Sequence, residues 1–208
     1  MDRIGPVRGV RILDVGCGDG VLATRLAQDG ARVAGLDTSA DMIAAARRRA
    51  EAAGVEIDLV EGDAGGLPFP AGHYDCVVSV ATLCFVDDPR STIREMTRVL
   101  KPGGRLFLGE LGRWNLWAAQ RRVKGWLGSK RWSGAHFRSR GNLIDIATEA
   151  RLTDATVTGT VFYPPFGWAA KVMAPIDPWF GRWTTLGAAF LVVSATKIPK
   201  ITPETEPS

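Results

Sequence analysis

The residues from Arg11 to Gly20 combine a carboxylate with three glycines at a spacing suited to ligand binding. Arg11–Val15 is apolar and β-branched and is followed at once by glycine, which predicts a short buried strand that ends in a turn. Gly16, Gly18 and Gly20 carry no side chain, so a ligand can approach the backbone of this turn closely. The apolar residues that follow have helical spacing and predict a helix whose N-terminus faces the ligand. These features favour a nucleotide-type ligand.

Asp14 discriminates between ligands of that type. Dinucleotide sites use G-x-G-x-x-G, whereas this turn is G-x-G-x-G, and a carboxylate two residues ahead of it would repel a pyrophosphate. A ligand with a cationic end would tolerate the carboxylate. The segment Asp-Val-Gly-Cys-Gly-Asp-Gly at 14–20 resembles the first motif of the class I S-adenosylmethionine (SAM) dependent methyltransferases. The resemblance implies a SAM site formed by Asp14, Gly16, Cys17 and Gly18, with the loop backbone against the amino-acid end of the cofactor.

The second predicted strand, Arg32–Leu36, leads to further candidate cofactor contacts. Asp37 lies 19 residues after Gly18, at about the distance where an acidic residue holds ribose hydroxyls in this kind of fold. The alternative is a solvated aspartate at a turn. Thr38 and Asp41 form a capping-box pattern, which predicts a helix from this point through residue 53. We therefore include Thr38 in the cofactor site, together with Met42, which falls in the first turn of that helix near the adenine edge.

The third and fourth predicted strands supply the rest of the site. In the resembled family, the loop after the third strand places a carboxylate on the adenine amino group, which implies Asp63, with the backbone of Ala64 on a ring nitrogen. Cys76–Val80 is an unbroken apolar run, as a central parallel strand requires. Val80 and Ala81 at its end are predicted to line the methyl-transfer site, because ligands bind at the carboxyl ends of such strands.

A second motif narrows the resemblance to one branch of the family. Arg-Val-Leu-Lys-Pro-Gly-Gly-Arg-Leu at 98–106 resembles the branch that contains quinone and small-molecule methyltransferases. With the first motif, Asp37 and Asp63 in register, the resemblance covers residues 10 to 110. It implies a doubly wound α/β fold with a seven-stranded, mostly parallel sheet, whose antiparallel last strand inserts between strands five and six.

Length and composition favour one domain over residues 1–197, followed by a disordered tail at 198–208. The chain has 208 residues, 46% of them hydrophobic and 23% charged, and no apolar run approaches the roughly 20 residues that span a bilayer. Three cysteines fit neither a disulfide framework nor a zinc site, so we predict no metal and a cytoplasmic location. Only ten residues precede the first strand, where related methyltransferases often carry a helical lid; either the lid is missing or the true start lies upstream.

The second half of the chain is predicted to select the substrate through two insertions, 113–140 and 163–186. The first holds eight Lys or Arg residues, no acidic residue and four tryptophans. It is interpreted in three ways: a solvated surface insert, an element that contacts an anionic membrane peripherally, or a nucleic-acid surface. We rank nucleic acid last, because no RNA-binding module is recognisable and the net charge is only +4. The second insertion carries four prolines and three tryptophans and is interpreted as part of an apolar acceptor pocket.

These observations predict a SAM-dependent methyltransferase of a small, apolar or lipid-like acceptor. The candidate acceptor-binding residues are Trp114, Trp117, Trp132, Tyr163 and Trp168. His136 is the first candidate for a general base, ahead of His73, Tyr163 and Glu110, although proximity alone suffices in many enzymes of this fold. Two alternatives stay open: a SAM-binding protein without catalysis, and a methyltransferase acting on RNA or protein. The oligomeric state is not predicted.

Overall fold

The computed structural model describes residues 4–115, 118–121, 126, 136–162 and 184–199. Within these ranges seven strands form one sheet: β1 (Arg11–Val15), β2 (Arg32–Asp37), β3 (Ile57–Glu61), β4 (Tyr74–Val80), β5 (Leu100–Leu111), β6 (Leu152–Thr160) and β7 (Phe190–Lys197). The strand order is β3-β2-β1-β4-β5-β7-β6, and β7 runs antiparallel to both of its neighbours while the other pairs are parallel. The predicted fold and the insertion of the last strand are therefore confirmed.

Four helices of the described residues connect and cover the strands: α1 (Val21–Gln28), α2 (Ala40–Ala52), α3 (Pro89–Val99) and α4 (Arg140–Glu149). A 3-10 turn, Leu83–Phe85, lies between β4 and α3. No helix in the described ranges is both long and apolar enough to cross a membrane.

The caps of these helices follow the sequence in two cases and depart from it in one. Asp88 accepts hydrogen bonds from two backbone N–H groups at the start of α3, and Ser139 caps α4, as its position before the helix predicts. The capping box at Thr38 was a wrong prediction. Ser39 is the N-cap of α2 and its hydroxyl accepts from the amide of Met42. Thr38 lies in a bend, where the amide of Ser39 donates to Oδ1 of Asp37 at 3.0 Å, and the helix begins one residue later than the pattern predicts.

The sheet buries both of its faces, because neighbouring residues of a strand point to opposite sides. In β1, Ile12 packs in a cluster with Leu26 of α1, whereas Leu13 packs in a separate cluster with Met96 of α3 and Ile146 of α4. Both β1 side chains are fully buried. This two-sided packing fixes the height of each strand end, and therefore the position of the loops that follow β1 to β4.

The bounds of the last strands differ from the sequence prediction. The sequence predicts β6 over 154–162, whereas the strand begins at Leu152 and crosses a bulge between Thr153 and Thr156, where Asp154 has a positive φ of 54°. Val161, with φ 61°, leaves the ladder at the other end. The prediction rested on the apolar residues Val157, Val161 and Phe162, and a bulge at the start of the strand displaces its bounds from such residues. β5 is longer than predicted because it includes the Lys-Pro-Gly-Gly segment at 101–104.

Candidate functional site

A cavity of about 570 Å³ opens at the carboxyl ends of the parallel strands. Its wall comes from the ends of four strands, the loops after them and the start of α3. The lining residues include Gly16 after β1, Asp37 and Thr38 at the end of β2, Asp63 and Ala64 after β3, Ala81, Thr82, Phe85, Val86, Asp87 and Asp88 after β4, and Ser91 and Thr92 in α3. These segments are far apart in sequence and meet because parallel strands end at one edge of the sheet.

Gly16 sits where no other residue fits. Its φ is +74°, and a Cβ atom there would lie 2.1 Å from the hydroxyl oxygen of Thr82. The amides of Gly16 and Cys17 both donate to the carbonyl of Leu36, at 2.7 and 3.0 Å. This anchors the turn to the end of β2 and leaves its backbone at the cavity wall without side chains.

The carboxylate of Asp37 is held at the same edge. Its Oδ2 accepts from the amide of Gly18 at 2.8 Å, and its Oδ1 accepts from the amide of Ser39 at 3.0 Å. A carboxylate oxygen has two acceptor positions, so each oxygen can still accept a hydroxyl proton from a ligand. The arrangement suits a pair of neighbouring hydroxyl groups.

Asp14 lies behind the glycine turn and is 2% exposed. Its Oδ2 has no hydrogen-bond partner among the described residues. Burial, and secondly the negative charge of Asp37, raise the pKa of Asp14 to about 7. A cationic ligand in the cavity would lower this pKa again and favour the ionised carboxylate. The two aspartates therefore fit a ligand that brings both hydroxyl groups and a positive charge.

Asp63 is a further carboxylate that lines the cavity. Its Oδ1 accepts from the amide of Gly65 at 2.5 Å, which fixes the loop after β3, and the neighbouring Ala64 is 6% exposed. A small buried residue next to a fixed carboxylate leaves room for a flat ring at this end of the cavity.

The structure brings together six of the predicted cofactor residues: Gly16, Asp37, Thr38, Asp63, Ala64 and Ala81 line the cavity. Asp14, Cys17 and Gly18 belong to the same turn but lie outside the lining. Met42 and Val80 are 40% and 46% exposed and do not line the cavity either. Phe85, Val86 and Asp87 were missed by the prediction. The rule that ligands bind at strand ends pointed to this loop, but the 3-10 turn that directs these residues inward has no clear sequence signal.

His136 is exposed and lies in a neighbouring cavity of about 380 Å³. That cavity is also lined by Arg113 and Arg138, and it shares Val86 and Asp87 with the larger one. The backbone amide of His136 donates to the carbonyl of Cys84 at 2.8 Å. The role of His136 as a general base therefore stays a prediction, since the imidazole does not line the larger cavity.

Two of the other candidate bases, His73 and Glu110, do not line the cavity, and the third, Tyr163, lies outside the described residues. His73 lines a groove at the amino ends of β1 and β2, opposite the cavity. Glu110 is fully buried and does not line the cavity. Burial raises its pKa to about 7, against the lowering effects of the Leu83 amide and the Arg138 guanidinium. No cluster of metal-binding side chains occurs among residues within the described ranges.

Most of the predicted acceptor residues cannot be compared with the structure. Trp117, Trp132, Tyr163 and Trp168 lie outside the described residues. Trp114 is described and is 61% exposed, with its ring 5.3 Å from the guanidinium of Arg113. It lines neither of the two cavities described above.

Residues 13–108 match a family model described as a methyltransferase domain. Two similar curated proteins are the ubiquinone biosynthesis O-methyltransferases of Cronobacter sakazakii, 40% identical over 113 residues, and of Sodalis glossinidius, 41% identical over 117 residues. Each match covers 54% of this chain and 46% of the relative. The chain thus spans about half the length of the curated relatives it matches.

Solved structures extend the similarity over more of the chain. A SAM-dependent methyltransferase from Thermotoga maritima has a TM-score of 0.71 and 25% identity, covering 92% of this chain and 83% of that one. Phosphoethanolamine N-methyltransferase 2 from Haemonchus contortus, in complex with SAM, has a TM-score of 0.70 and 21% identity, covering 94% of this chain and 50% of that one. The second similarity shows the fold alone.

Proposed function

We propose that this chain methylates a small, apolar or lipid-like acceptor, on the premise that it carries a class I SAM-dependent methyltransferase domain with SAM as its cofactor. The observation that carries the proposal is the cavity at the strand ends, where Gly16, Asp37 and Asp63 meet. The matched O-methyltransferases of ubiquinone biosynthesis support an acceptor of this class.

Each part of SAM would have a matching group in the cavity or directly behind its wall. Asp37 would accept from the ribose hydroxyls, and Asp63 with the backbone of Ala64 would hold the adenine ring. The turn around Gly16 leaves room for the amino-acid end, and the buried charge of Asp14 favours a cation nearby. When bound, SAM supplies a methyl group already activated by its positive sulfonium. The chain's own residues then have to orient the acceptor and exclude water.

The acceptor side of the cavity is formed by the segment after β4. Phe85 is 50% exposed and, with Val86, gives this wall an apolar surface. We assign the acceptor to this wall. His136 would act as a general base from the adjoining cavity if the acceptor loses a proton during transfer. The His136→Ala variant tests this role: loss of a base lowers kcat by about 100-fold or more, whereas catalysis by proximity alone leaves it nearly unchanged.

An apolar acceptor could be delivered from an anionic membrane surface. Trp114 and Leu186 are 61% and 74% exposed, and they lie near each other because the amide of Gly187 donates to the carbonyl of Trp114 at 3.1 Å. Arg113 adds positive charge beside the tryptophan. Exposed aromatic and aliphatic side chains next to a cation suit the interface of such a membrane. Flotation with anionic vesicles tests this contact, with Trp114→Ser as the variant that should lower binding.

The first experiment uses methyl-labelled SAM, the purified protein and a cell extract, followed by solvent partition. We expect label in the organic phase, and much less of it when Asp37→Ala replaces the wild type at a sub-saturating concentration of SAM. Label in precipitated RNA or protein would replace the proposed acceptor with a macromolecule. SAM binding without transfer to any fraction would favour a SAM-binding protein without catalysis.

A further inference from the structure

Glu110 and Arg138 both bond to the backbone of the 3-10 turn Leu83–Phe85, one to an N–H group and the other to a carbonyl group. Glu110, at the end of β5, is fully buried, and its Oε1 accepts from the amide of Leu83 at 3.2 Å. Arg138 donates through Nη2 to the carbonyl of the same Leu83 at 3.0 Å. One residue of the turn is therefore bonded at its N–H by a carboxylate and at its C=O by a guanidinium.

The segment that carries Arg138 is itself fixed to the sheet and to the turn. The backbone amide of Arg138 donates to the carbonyl of Leu111 at 3.2 Å, and that of His136 donates to the carbonyl of Cys84 at 2.8 Å. The guanidinium also donates from Nη1 to Asn142 at 3.3 Å. The strap 136–138 thus joins β5, the 3-10 turn and the first turn of α4.

The last residue of the turn that Glu110 and Arg138 hold, and the two residues after it, line the cavity. Leu83 and Cys84 are fully buried, whereas Phe85, Val86 and Asp87 line the cavity. A buried carboxylate is costly to keep and needs a partner that stabilises it. A Gln would fill the same space without the cost of a charge, but its neutral carbonyl would hold the Leu83 amide through a weaker hydrogen bond, and an apolar residue would not hold it at all.

We propose that Glu110 and Arg138 are positioning residues that together fix the acceptor-side wall formed by residues 82–87. Both residues act through the backbone of the turn. Glu110 lines neither cavity, and Arg138 lines only the smaller one. The wall's role in acceptor binding rests on the proposed function, whereas the clamp itself can be tested without any methyl transfer.

Cys84 supplies a reporter inside the turn. It is fully buried, and its Sγ lies 3.3 Å from the carbonyl of Ala81. Cys76, buried in β4, reports on the sheet. The experiment measures the rate at which N-ethylmaleimide modifies each thiol, resolved by peptide mass spectrometry. In Glu110→Gln and in Arg138→Met we expect the rate at Cys84 to rise about tenfold or more, with Cys76 within about twofold of wild type.

Two variants are needed because charge also affects the thiol. The negative charge of Glu110 raises the pKa of Cys84 and the positive charge of Arg138 lowers it. Electrostatics alone would therefore speed modification in Glu110→Gln but slow it in Arg138→Met, whereas loss of the clamp speeds it in both. A slower rate in Arg138→Met, or equal increases at Cys84 and Cys76, would overturn the proposal. Glu51→Gln and Arg25→Met, both on exposed helix positions, serve as matched controls.

A second readout connects the clamp to the acceptor found in the labelling experiment. We expect both variants to raise KM for that acceptor about tenfold and to change KM for SAM by less than about twofold. If the thiol rates support the clamp but the KM for the acceptor is unchanged, the wall does not contribute to acceptor binding. If the labelling experiment identifies no acceptor, the thiol rates still decide whether the clamp exists.

Discussion

Replacing Gly16 with alanine tests whether the glycine turn and Thr82 are packed as closely as the structure indicates. A residue with a Cβ atom in the left-handed region costs about 1–2 kcal/mol. The new Cβ would also lie 2.1, 2.6 and 2.9 Å from three side-chain atoms of Thr82, and overpacking of this kind costs about 1–3 kcal/mol. We therefore expect Gly16→Ala to lower the free energy of unfolding by about 2–5 kcal/mol.

Two further variants separate the cost of the backbone conformation from the cost of the contacts with Thr82. Gly54 has a φ of +66° and nothing within 4 Å of its Cβ position, so Gly54→Ala measures the backbone cost alone. Thr82→Gly removes the clashing atoms, and Val15, whose carbonyl accepts from Thr82, still accepts from Ser79 at 2.8 Å.

The measurement is urea unfolding of all four proteins and of the double variant Gly16→Ala/Thr82→Gly, followed by tryptophan fluorescence. We expect Thr82→Gly to restore about 1–3 kcal/mol to Gly16→Ala in the cycle. Additive effects, or a Gly16→Ala protein no less stable than Gly54→Ala, would refute the close packing. Titration calorimetry with SAM should show weaker binding for Gly16→Ala and partial recovery in the double variant.

Three more changes test the carboxylates. Asp37→Ala should weaken SAM binding about 10- to 100-fold in calorimetry, since hydrogen bonds to a charged group contribute about 1.5–3 kcal/mol, whereas the exposed Asp41→Ala should not; equal effects would exclude the ribose role. Burial raises the pKa of Asp14 to about 7 in the folded protein, so this group's contribution to the free energy of unfolding declines as pH rises from about 4 to 7. Asp14→Asn should remove that part of the decline, at most about 1.4 kcal/mol per pH unit, and an unchanged slope in urea unfolding would contradict the shift. Asp88→Ala removes an acceptor for the amides of Arg90 and Ser91 at 3.0 Å and should cost about 0.5–2 kcal/mol of unfolding free energy, while Asp87→Ala should cost less; equal losses would argue against the cap.

The sequence predicts the first three strands well, because each of them ends at or just before a glycine or an acidic residue. The run before Gly16 and the acidic residue after Leu36 carry that information locally. The loop after β4 was harder, because the inward direction of Phe85 and Val86 depends on distant partners. Glu110 and Arg138 bond the turn across 27 and 55 residues of sequence, and no local pattern encodes such contacts.

The position of the predicted general base could not be derived from the sequence for a related reason. The sequence favours His136 because it lies in the half of the chain that is predicted to select the substrate, and because histidine is a common general base. In the structure, the backbone amide of His136 donates to the carbonyl of Cys84, and the residue lines a second cavity. The kind of side chain alone cannot show which cavity a residue faces.

The position of β7 in the sheet has a consequence for how the chain is made. β5 and β6 do not pair with each other, because β7 lies between them, and β7 is synthesised after the other six described strands. While a ribosome is still extending the chain, the strands up to β5 can assemble, but β5 then presents an open, apolar edge from Leu106 to Leu111. Open edges of this kind recruit other strands. We expect nascent chains that stall before residue 190 to depend on chaperones, and full-length chains to be released from them once β7 closes the gap.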